Sequence, residues 1–555
     1  MRFLFSFLFS FILPLTAFAG TGVLVKAFNK KIYQKPEWKA LLHYNGEDSY
    51  IKDKSFILSS GNFSLQNELK KTITLILASA NSASPAVCRF PGRWLFISKE
   101  TGVDVDVGLE KCSGFTNYLF LFQGDTVYLG YVSKDVTKPT SMMGHLFIEA
   151  KGKGDYAISF LALVDSSNPL RLGWESLVAG IDAGFFLESF NSQLESYLWY
   201  KGRSVWRYRL NLSEYQKNLL LYHVYELKNA KLTYNYISYN CATVVYYILS
   251  LVSPSLLDEK PLIVTPLKVV KSIADKGVLS DEEFFQDAES VMESLRQKDR
   301  SRVLSELYYC YDLRQKNVKD DDCSMKLKEF SPKRSLIYAP FENHFSMGLV
   351  RDFDNKNFLY LRFFPVSNEI FDDNRYSPGE ESVKFGEIEI GLSPWNLRVY
   401  KFGLYEMSSL KEFSVSIPRF SKTAFIGLKR YFNDDFSSFL SFTLAGGAGV
   451  SIKPFDGVLV YVLVNQEIGI GGKGFSLLFG PSSGAVFYPF KNGKMVFFLK
   501  RDIILLGLNN SPMWKLSVSQ SFFINKHLNI DFKFERILDG SFGANRFIAD
   551  FVFLF

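Results

Sequence analysis

From about residue 335 to its end, the chain repeats segments of about ten residues that alternate apolar and polar side chains or are rich in aromatic ones. Turn residues of the Asn-Asp, Asn-Gly and Asn-Lys kind separate these segments. A membrane β-barrel requires strands of this length and spacing, because lipid offers no water to satisfy an open sheet edge. We therefore predict an antiparallel transmembrane β-barrel of about 10–12 strands. A soluble β-sandwich is the alternative.

The two ends of the chain predict export. A basic start at Met1-Arg2 precedes an apolar run, and the small-x-small motif Ala17-Phe18-Ala19 follows it. These features identify a secretory signal peptide; a retained membrane anchor is the alternative, for which the run is short. The terminal strand Asp550–Phe555 resembles the export signal of bacterial outer-membrane barrels. We expect a protein of the Gram-negative outer membrane, with the residues before the barrel facing the periplasm.

Composition excludes several partner classes. The net charge is +7 and the basic residues are scattered without a stripe, so we predict no nucleic-acid partner. Aromatic residues make up 16% of the chain, which fits a membrane-facing or lipid-binding surface; a Phe-rich genome is the alternative. We predict no metal, since Asp320–Asp322 lacks coordinating spacing. We also predict no cofactor, since no Gly-rich phosphate loop precedes a helix.

The order of the patterns predicts an α+β chain. Helices are expected from Thr21 to Leu75 and over residues 186–230, and strands between Val87 and Ala162, including Trp94–Ile97. The predicted domains are a signal peptide at 1–19, a helical and β accessory part at 20–120, a catalytic domain at 121–270, a helical linker with a Cys-closed loop at 271–333, and the barrel at 334–555.

Two disulfides would use four of the five cysteines and leave one thiol unpaired. Cys88 with Cys112 and Cys310 with Cys323 are the expected disulfides, although these four residues allow three connectivities. Disulfides agree with an oxidising compartment. The remaining thiol is Cys241, and an odd thiol in an exported protein indicates a reactive group or an intermolecular bridge.

Cys241 opens an apolar helical stretch, where the helix dipole is expected to lower its pKa and favour the thiolate. Asn240 is expected to cap that helix or to donate to an oxyanion. His145, in a Gly-His context at the start of a strand, is the candidate base. Ser159 is the first choice for a third catalytic member and Asp165 the second. The alternative is a buried, inert cysteine and a satisfied core histidine.

An ordered set of motifs supports a family resemblance. The set comprises Pro36-Glu37-Trp38, Leu41–Tyr44, Cys88–Arg93, Ser141–Phe147, Arg203–Tyr208, Tyr234–Cys241 and Thr265-Pro266. Together these motifs resemble the Lnb-type N-terminal periplasmic domain, one of the permuted papain-like proteins related to NlpC-type peptidases and lecithin–retinol acyltransferases. In those proteins the histidine strand precedes the cysteine helix, as it does here. The resemblance implies a permuted papain-like thiol domain, here followed by the C-terminal barrel.

The resemblance also implies an activity, a lipoprotein N-acyltransferase. Cys241 would take an acyl chain from a phospholipid as a thioester, with His145 as base and then acid, and the α-amine of a diacylglyceryl lipoprotein would accept it. Two departures stand out: the family pattern has Asn where Ser159 stands, and some members carry membrane helices instead of a barrel. Arg203 and Arg207 are candidate phospholipid-headgroup contacts, with packing as the alternative.

Two other functions remain open at this point. A papain-like cysteine hydrolase of the periplasm, acting as a peptidase or amidase, would use the same pair of residues. A non-catalytic outer-membrane barrel with a periplasmic plug would need neither.

Overall fold

The structure is a computed structural model. It describes residues 14–122, 126–138, 141–164, 168, 171, 174–261, 263–287, 306, 309–310, 335–365, 368–376, 379–413, 419–432, 438–455, 457–471, 474–506, 513–539 and 542–555.

The chain divides into two compact units. The first, the thiol unit, comprises Met1–Val132 and His145–Phe284, and the second, the barrel unit, comprises Ser133–Gly144 and Phe285–Phe555. The described α-helices all belong to the thiol unit and are Pro14–Asn29, Pro36–Leu41, Leu65–Ser79, Pro91–Thr101, Ser113–Leu121, Phe190–Glu195, Glu214–Lys228, Cys241–Ser250 and Pro266–Asp275. In the part of the chain that the structure describes, no helix combines the length and apolar character needed to cross a membrane.

A seven-stranded sheet organises the thiol unit. Its strands are β1 Thr126–Val132, β2 His145–Lys151, β3 Asp155–Ala162, β4 Ile181–Ser189, β5 Val205–Leu210, β6 Leu232–Tyr234 and β7 Leu279–Phe285. Their order in the sheet is β6-β4-β3-β2-β1-β5-β7. The central strand β2 is buried along nearly its whole length and pairs antiparallel with β1 and β3. Because β2 is held on both sides, its first residue, His145, has a fixed position.

Three predictions for this unit are wrong. The segment Trp94–Ile97 lies within the helix Pro91–Thr101, where Pro91 opens the helix and Gly102, with φ of 62°, ends it. The stretch 186–230 contains strands β4 and β5 as well as helices. The linker expected from residue 271 begins later, since β7 completes the edge of the sheet beside β5.

One expected disulfide is present. Cys88 and Cys112 are bonded, with their Cα atoms 5.2 Å apart, as predicted. The second expected bond involves Cys323, which lies outside the described residues. Cys241 is a free, buried cysteine.

The barrel unit confirms the predicted barrel and fixes its size at twelve described strands. They are β8 His344–Arg351, β9 Asn357–Phe364, β10 Glu380–Ser393, β11 Asn396–Leu410, β12 Ser421–Phe432, β13 Ser438–Phe455, β14 Val458–Gly471, β15 Gly474–Phe490, β16 Gly493–Leu506, β17 Met513–Asn525, β18 Leu528–Asp539 and β19 Phe542–Leu554. Each strand pairs antiparallel with the next, and the last, β19, pairs with β8. The barrel therefore has no open edge.

Side chains alternate between the lumen and the outer surface. Along β14, Leu459, Tyr461 and Leu463 are buried, while Val462 and Val464 are exposed. Exposed Val, Leu, Ile and Phe residues recur on the outer positions of the other strands. An outward apolar surface on a closed barrel is what lipid contact requires.

Candidate thiol site

Cys241 begins a buried helix, Cys241–Ser250, which we call the cysteine helix. Asn240 precedes it as N-cap, and its side-chain oxygen accepts a hydrogen bond of 2.9 Å from the N–H of Thr243. All ten residues of the helix are buried, and the helix packs against β2 and β3. The cap and the packing together fix the position of the thiol at the positive end of the helix.

The amide of Asn240 is used for structure. Its Nδ2 donates to the carbonyl oxygens of Tyr236 at 2.9 Å and Val264 at 3.3 Å. Both ends of the amide therefore hold the loop that leads into the cysteine helix. The predicted capping role is observed, whereas the alternative role as an oxyanion donor would require these bonds to break.

His145 lies at the start of β2, beside the start of the cysteine helix. The N–H of the next residue, Leu146, faces the Cys241 sulfur. The His145 ring is buried, and its Nε2 has no hydrogen-bond partner. Burial lowers the pKa of His145 to about 3, and the charges of Arg203 and Lys201 act in the same direction. The imidazole is therefore neutral, with a free ring nitrogen.

The thiol is neutral as well, which corrects the expectation of a thiolate. Burial raises the pKa of Cys241 and is the largest effect on it. The N–H groups of Leu146 and Ala242, the charge of Arg203 and the Tyr234 hydroxyl act in the opposite direction but do not overcome burial. The resting site therefore holds a neutral thiol beside a neutral imidazole.

Ser159 shares a sheet face with His145, because it lies opposite Phe147 in the β2–β3 register. Its hydroxyl accepts a hydrogen bond of 2.7 Å from Nε2 of Gln193 rather than from His145. The Oε1 of Gln193 is buried without a partner. Gln193 is thus a polar residue of this face that sequence reasoning missed. The second choice, Asp165, lies outside the described residues.

The two arginine candidates differ in their surroundings. Arg207 is buried and pairs with Glu149 at 2.9 Å and with Glu283, so it packs in the fold and offers no surface to a headgroup. Arg203 is also buried, with its guanidinium 5.4 Å from the centre of the Tyr197 ring. Its charge acts on both Cys241 and His145. Arg203 therefore belongs to the thiol site and Arg207 does not.

A buried chain of hydrogen bonds leads to the residue before Asn240. The Tyr239 hydroxyl bonds Nδ1 of His43 at 2.7 Å, and Nε2 of His43 bonds Nε2 of His223 at 3.1 Å. Nδ1 of His223 then bonds Glu226 at 3.0 Å. We call these four residues the histidine chain. His43 has a φ of 47°, a left-handed backbone that is costly for a residue other than glycine.

With both histidines neutral and Glu226 as an acceptor, only one arrangement of protons satisfies this chain. His223 donates to Glu226 from Nδ1, so its Nε2 must accept a proton donated by His43. Nδ1 of His43 then accepts from Tyr239, and both histidines are neutral. Burial lowers the pKa of both histidines, in agreement with this arrangement. Sequence reasoning missed the pair because 180 positions separate the two residues.

No metal site is evident in the described part of the chain. No group of three or more His, Cys, Asp or Glu side chains gathers there in a way that could hold a metal ion.

Three family models match the chain. Residues 115–276 match the model described as the Lnb N-terminal periplasmic domain. Residues 30–100 and 343–547 match two models described as domains of unknown function, DUF7843 and DUF7840. A comparison with curated proteins gives no match.

Solved structures similar to this chain include outer-membrane channels. The KdgM porin in complex with disordered oligogalacturonate is 10% identical, with a TM-score of 0.24, and covers 39% of this chain and 99% of its own. The NanC porin is 6% identical, with a TM-score of 0.25, and covers 38% and 100%. The channel DcaP of Acinetobacter baumannii is 11% identical, with a TM-score of 0.21, and covers 39% and 96%.

The closed barrel with an apolar outer surface and the matched periplasmic domain define an outer-membrane protein with a periplasmic domain. More particularly, residues 115–276 are an Lnb-type N-terminal periplasmic domain, joined in one chain to a twelve-stranded barrel.

The neutral thiol predicts a slow, pH-dependent alkylation. Since burial raises the pKa of Cys241, little thiolate exists at pH 7, and the labelling rate is expected to rise about tenfold per pH unit from pH 7 to 9. Iodoacetamide labelling of the full chain, followed by mass spectrometry of the Cys241 peptide, measures this rate. A rate independent of pH over this range would reveal a pre-formed thiolate and contradict the assignment.

The histidine chain predicts loss of stability in acid. Below about pH 6.5 the unfolded chain binds protons on His43 and His223, which the folded chain does not, so the free energy of unfolding decreases as pH falls. The loss at pH 5 is at most about 2 kcal/mol for each histidine, the limit for a group that stays neutral in the folded chain. Hydrogen exchange of the helix Glu214–Lys228, corrected for intrinsic rates, should become faster as the pH is lowered from 7.5 to 5.

His223→Gln should reduce this pH slope, whereas His527→Gln, a change at an exposed position of the barrel unit, should leave it unchanged. An equal slope in wild type and His223→Gln would show that other groups cause the acid sensitivity.

Proposed function

We propose that the protein is a lipoprotein N-acyltransferase, with Cys241 as nucleophile and His145 as base and acid. The observation that carries the proposal is a free thiol at the start of the cysteine helix, beside the His145 strand, within a segment that matches the Lnb N-terminal periplasmic domain. A thiol and an imidazole are sufficient for covalent acyl transfer without a cofactor.

In the first half-reaction the Cys241 sulfur attacks an ester carbonyl of a phospholipid. The thiol proton passes to the free Nε2 of His145 as the sulfur–carbon bond forms. The carbon–oxygen ester bond then breaks, and His145 returns the proton to the departing oxygen, which leaves as a lysophospholipid. The neutral resting pair suits this step, because a charge pair appears only during reaction, where Arg203 stabilises the negative side.

In the second half-reaction the α-amine of a diacylglyceryl lipoprotein attacks the thioester. The nitrogen–carbon bond forms, the carbon–sulfur bond breaks, and a proton from the amine returns to the sulfur through His145. The products are a triacylated lipoprotein and the free Cys241 thiol. Ser159 and Gln193 would hold the polar side of the site, with the unpaired Oε1 of Gln193 as an acceptor for a proton on nitrogen.

Exposed apolar side chains in the segments that precede β4 and the cysteine helix support a lipid substrate over a cell-wall peptide. We call this set the apolar patch; its residues are Leu163, Val164, Trp174, Leu177, Val178 and Ile237. Two hydrogen bonds, from Tyr236 to Ser176 at 2.8 Å and from Asn235 to Leu177 at 3.0 Å, join part of the patch to the loop before the cysteine helix. Exposed apolar surfaces of this kind mark membrane or partner contacts.

The direct test is acyl transfer by the purified full chain. Phosphatidylethanolamine vesicles serve as donor and a synthetic diacyl lipopeptide as acceptor, and mass spectrometry detects the triacyl product. Cys241→Ala should abolish the product, and His145→Gln should lower its rate by at least about a hundredfold. The matched control is Ser250→Ala, at the far end of the same buried helix.

Three outcomes decide the proposal. Triacyl product that depends on Cys241 supports it. Release of free fatty acid without triacyl product, or cleavage of a cell-wall peptide, assigns a hydrolase instead. Wild-type levels of product in Cys241→Ala would exclude the thiol mechanism.

Substitutions in the apolar patch are expected to impair the use of lipid without changing the thiol site. Replacing Trp174 and Val178 by Ser removes two exposed apolar side chains, so the vesicle concentration at half-maximal rate should rise about tenfold or more. Alkylation of Cys241 should not change, since the thiol keeps its surroundings. Val25→Ser, an exposed apolar position on the helix Pro14–Asn29, is the control. A fall in alkylation together with transfer would mean that the site itself was disturbed.

A further inference from the structure

One ion pair spans the barrel lumen from wall to wall. Glu380 is the first residue of β10 and Lys494 the second of β16, and their side chains bond each other. In the closed order of the twelve described strands, β10 and β16 lie six places apart and therefore face each other across the lumen. Neighbouring strands are antiparallel, so both strands begin at the end of the barrel where β8 begins and β19 ends. We call this end the entry end.

This ion pair is shielded from water. The Lys494 side chain is 0% exposed and the Glu380 side chain 11%. Lys494 also donates to the carbonyl oxygen of Asp372 at 2.9 Å, and the Tyr488 hydroxyl donates to Glu380 at 2.9 Å. In a water-filled pore these charged groups would stay hydrated, because removing an ion from water costs free energy that its partner only partly returns. The pair therefore lies where side chains, and not water, fill the lumen.

The chain between β9 and β10 fills this end of the lumen. Its described residues include 368–376, which we call the plug. The strand β15 lies six places from β9, so the plug reaches from β9 to the opposite wall. The plug side chains Ile370 and Phe371 pack there against an apolar cluster on β11 and β14–β16, made of Leu410, Leu459, Tyr461, Leu463, Val486 and Val496.

On the side of the barrel from which it starts, the plug is held by buried acidic side chains. Glu369 pairs with Arg362 of β9, and Asp372 is hydrogen-bonded to Nε2 of His344 on β8 at 2.8 Å. Glu369 and Asp372 are 4% and 3% exposed. Breaking either contact would leave a buried polar group without its partner, so both contacts oppose displacement of the plug.

On the opposite wall, the plug is held by β15 and the turn that follows it. The N–H of Asn374 donates to the Tyr488 hydroxyl at 3.2 Å, and Nδ2 of Asn374 donates to Glu380 at 3.1 Å. Nη2 of Arg375 donates to the carbonyl oxygen of Lys491 at 2.7 Å. The plug is thus bonded on both sides of the lumen and to the ion pair that crosses it.

The cavity in the barrel lumen ends at the plug. It has a volume of about 520 Å³, and its lining includes Glu369, Ile370 and Phe371 of the plug. The lining continues to Phe353 and Met513, which lie toward the other end of the barrel. The lumen is therefore a chamber with the plug at one end rather than a continuous channel.

From these contacts we propose that the plug closes the barrel lumen, so that the barrel anchors the protein in the outer membrane without conducting ions or small solutes. A porin-type barrel keeps a polar, water-filled lumen. Here an apolar cluster and buried ion pairs occupy the entry end, and each would lose partners if the plug were displaced. This role of the barrel is independent of the thiol chemistry.

Ion conductance of the purified full chain in planar lipid bilayers tests the proposal. The wild type should show no steady conductance. Replacing residues 368–376 by a Gly-Ser run of equal length removes the apolar packing and the polar contacts of the plug, so this variant should gain a steady, ohmic conductance. Circular dichroism of both proteins shows whether the barrel is folded.

A milder variant separates the effect of the plug from a general loss of stability. Ile370→Ser with Phe371→Ser removes only the apolar packing and should give frequent, reversible openings. The matched control is Trp395→Ser, which removes a 96% exposed apolar side chain from the β10–β11 turn at the other end of the barrel. This control should stay closed.

Steady conductance of the wild type overturns the proposal, and so does a folded Gly-Ser variant that stays closed. If the Gly-Ser variant does not fold, the double variant of Ile370 and Phe371 decides. Reversible openings of that variant support the plug, and a conductance no different from that of Trp395→Ser contradicts it.

Discussion

Burial of the Cys241 thiol and the His145 imidazole is the constraint on which the chemistry of the thiol unit depends. Removal from water disfavours the charged form of each group, so the pKa of the thiol rises and that of the imidazole falls. The helix dipole and the nearby charge of Arg203 favour a thiolate, but desolvation is the larger effect. For the proposed acyl transfer, a pair that is neutral at rest suits an apolar site that holds lipid, since charge would develop only when an ester carbonyl is attacked.

The polar groups of the histidine chain are also buried, so their hydrogen bonds to one another are required for the stability of the fold. Water cannot reach the polar groups of these four side chains, so each group depends on a hydrogen bond to its neighbour in the chain. Loss of one side chain leaves the groups bonded to it unpaired. Arg93 extends the chain, since its N–H donates to Glu226 at 2.8 Å and its guanidinium bonds Glu68 at 2.8 Å. Residues from the segment that matches DUF7843 thus hold the loop before Cys241, so that segment supports the thiol domain.

The local patterns of the chain predicted the elements best where neighbouring residues decide the structure. The alternation of side chains over residues 334–555 predicted a barrel of the right size, because period-two alternation is a property of the strand itself. Capping by Asn240 was also predicted from neighbouring residues, because Asn is a preferred N-cap directly before a helical stretch. Trp94–Ile97, in contrast, is apolar throughout, and an apolar run of four residues does not distinguish a strand from a buried helix. Pro91 before this run and Gly102 after it are better evidence for a helix than the apolar residues themselves.

By itself, the sequence determined that the chain belongs to the outer membrane, that its last part forms a closed membrane sheet, and that Cys241 is left unpaired. These conclusions rest on short-range periodicity, on composition and on parity, which tertiary contacts do not alter. Only the tertiary structure decided that Cys241 is a neutral thiol rather than a thiolate, that Arg207 is a core residue, and that His43 is hydrogen-bonded to His223. Protonation states and polar partners depend on how deeply a group is buried and on what approaches it from distant parts of the chain, and neither is encoded in the residues beside it.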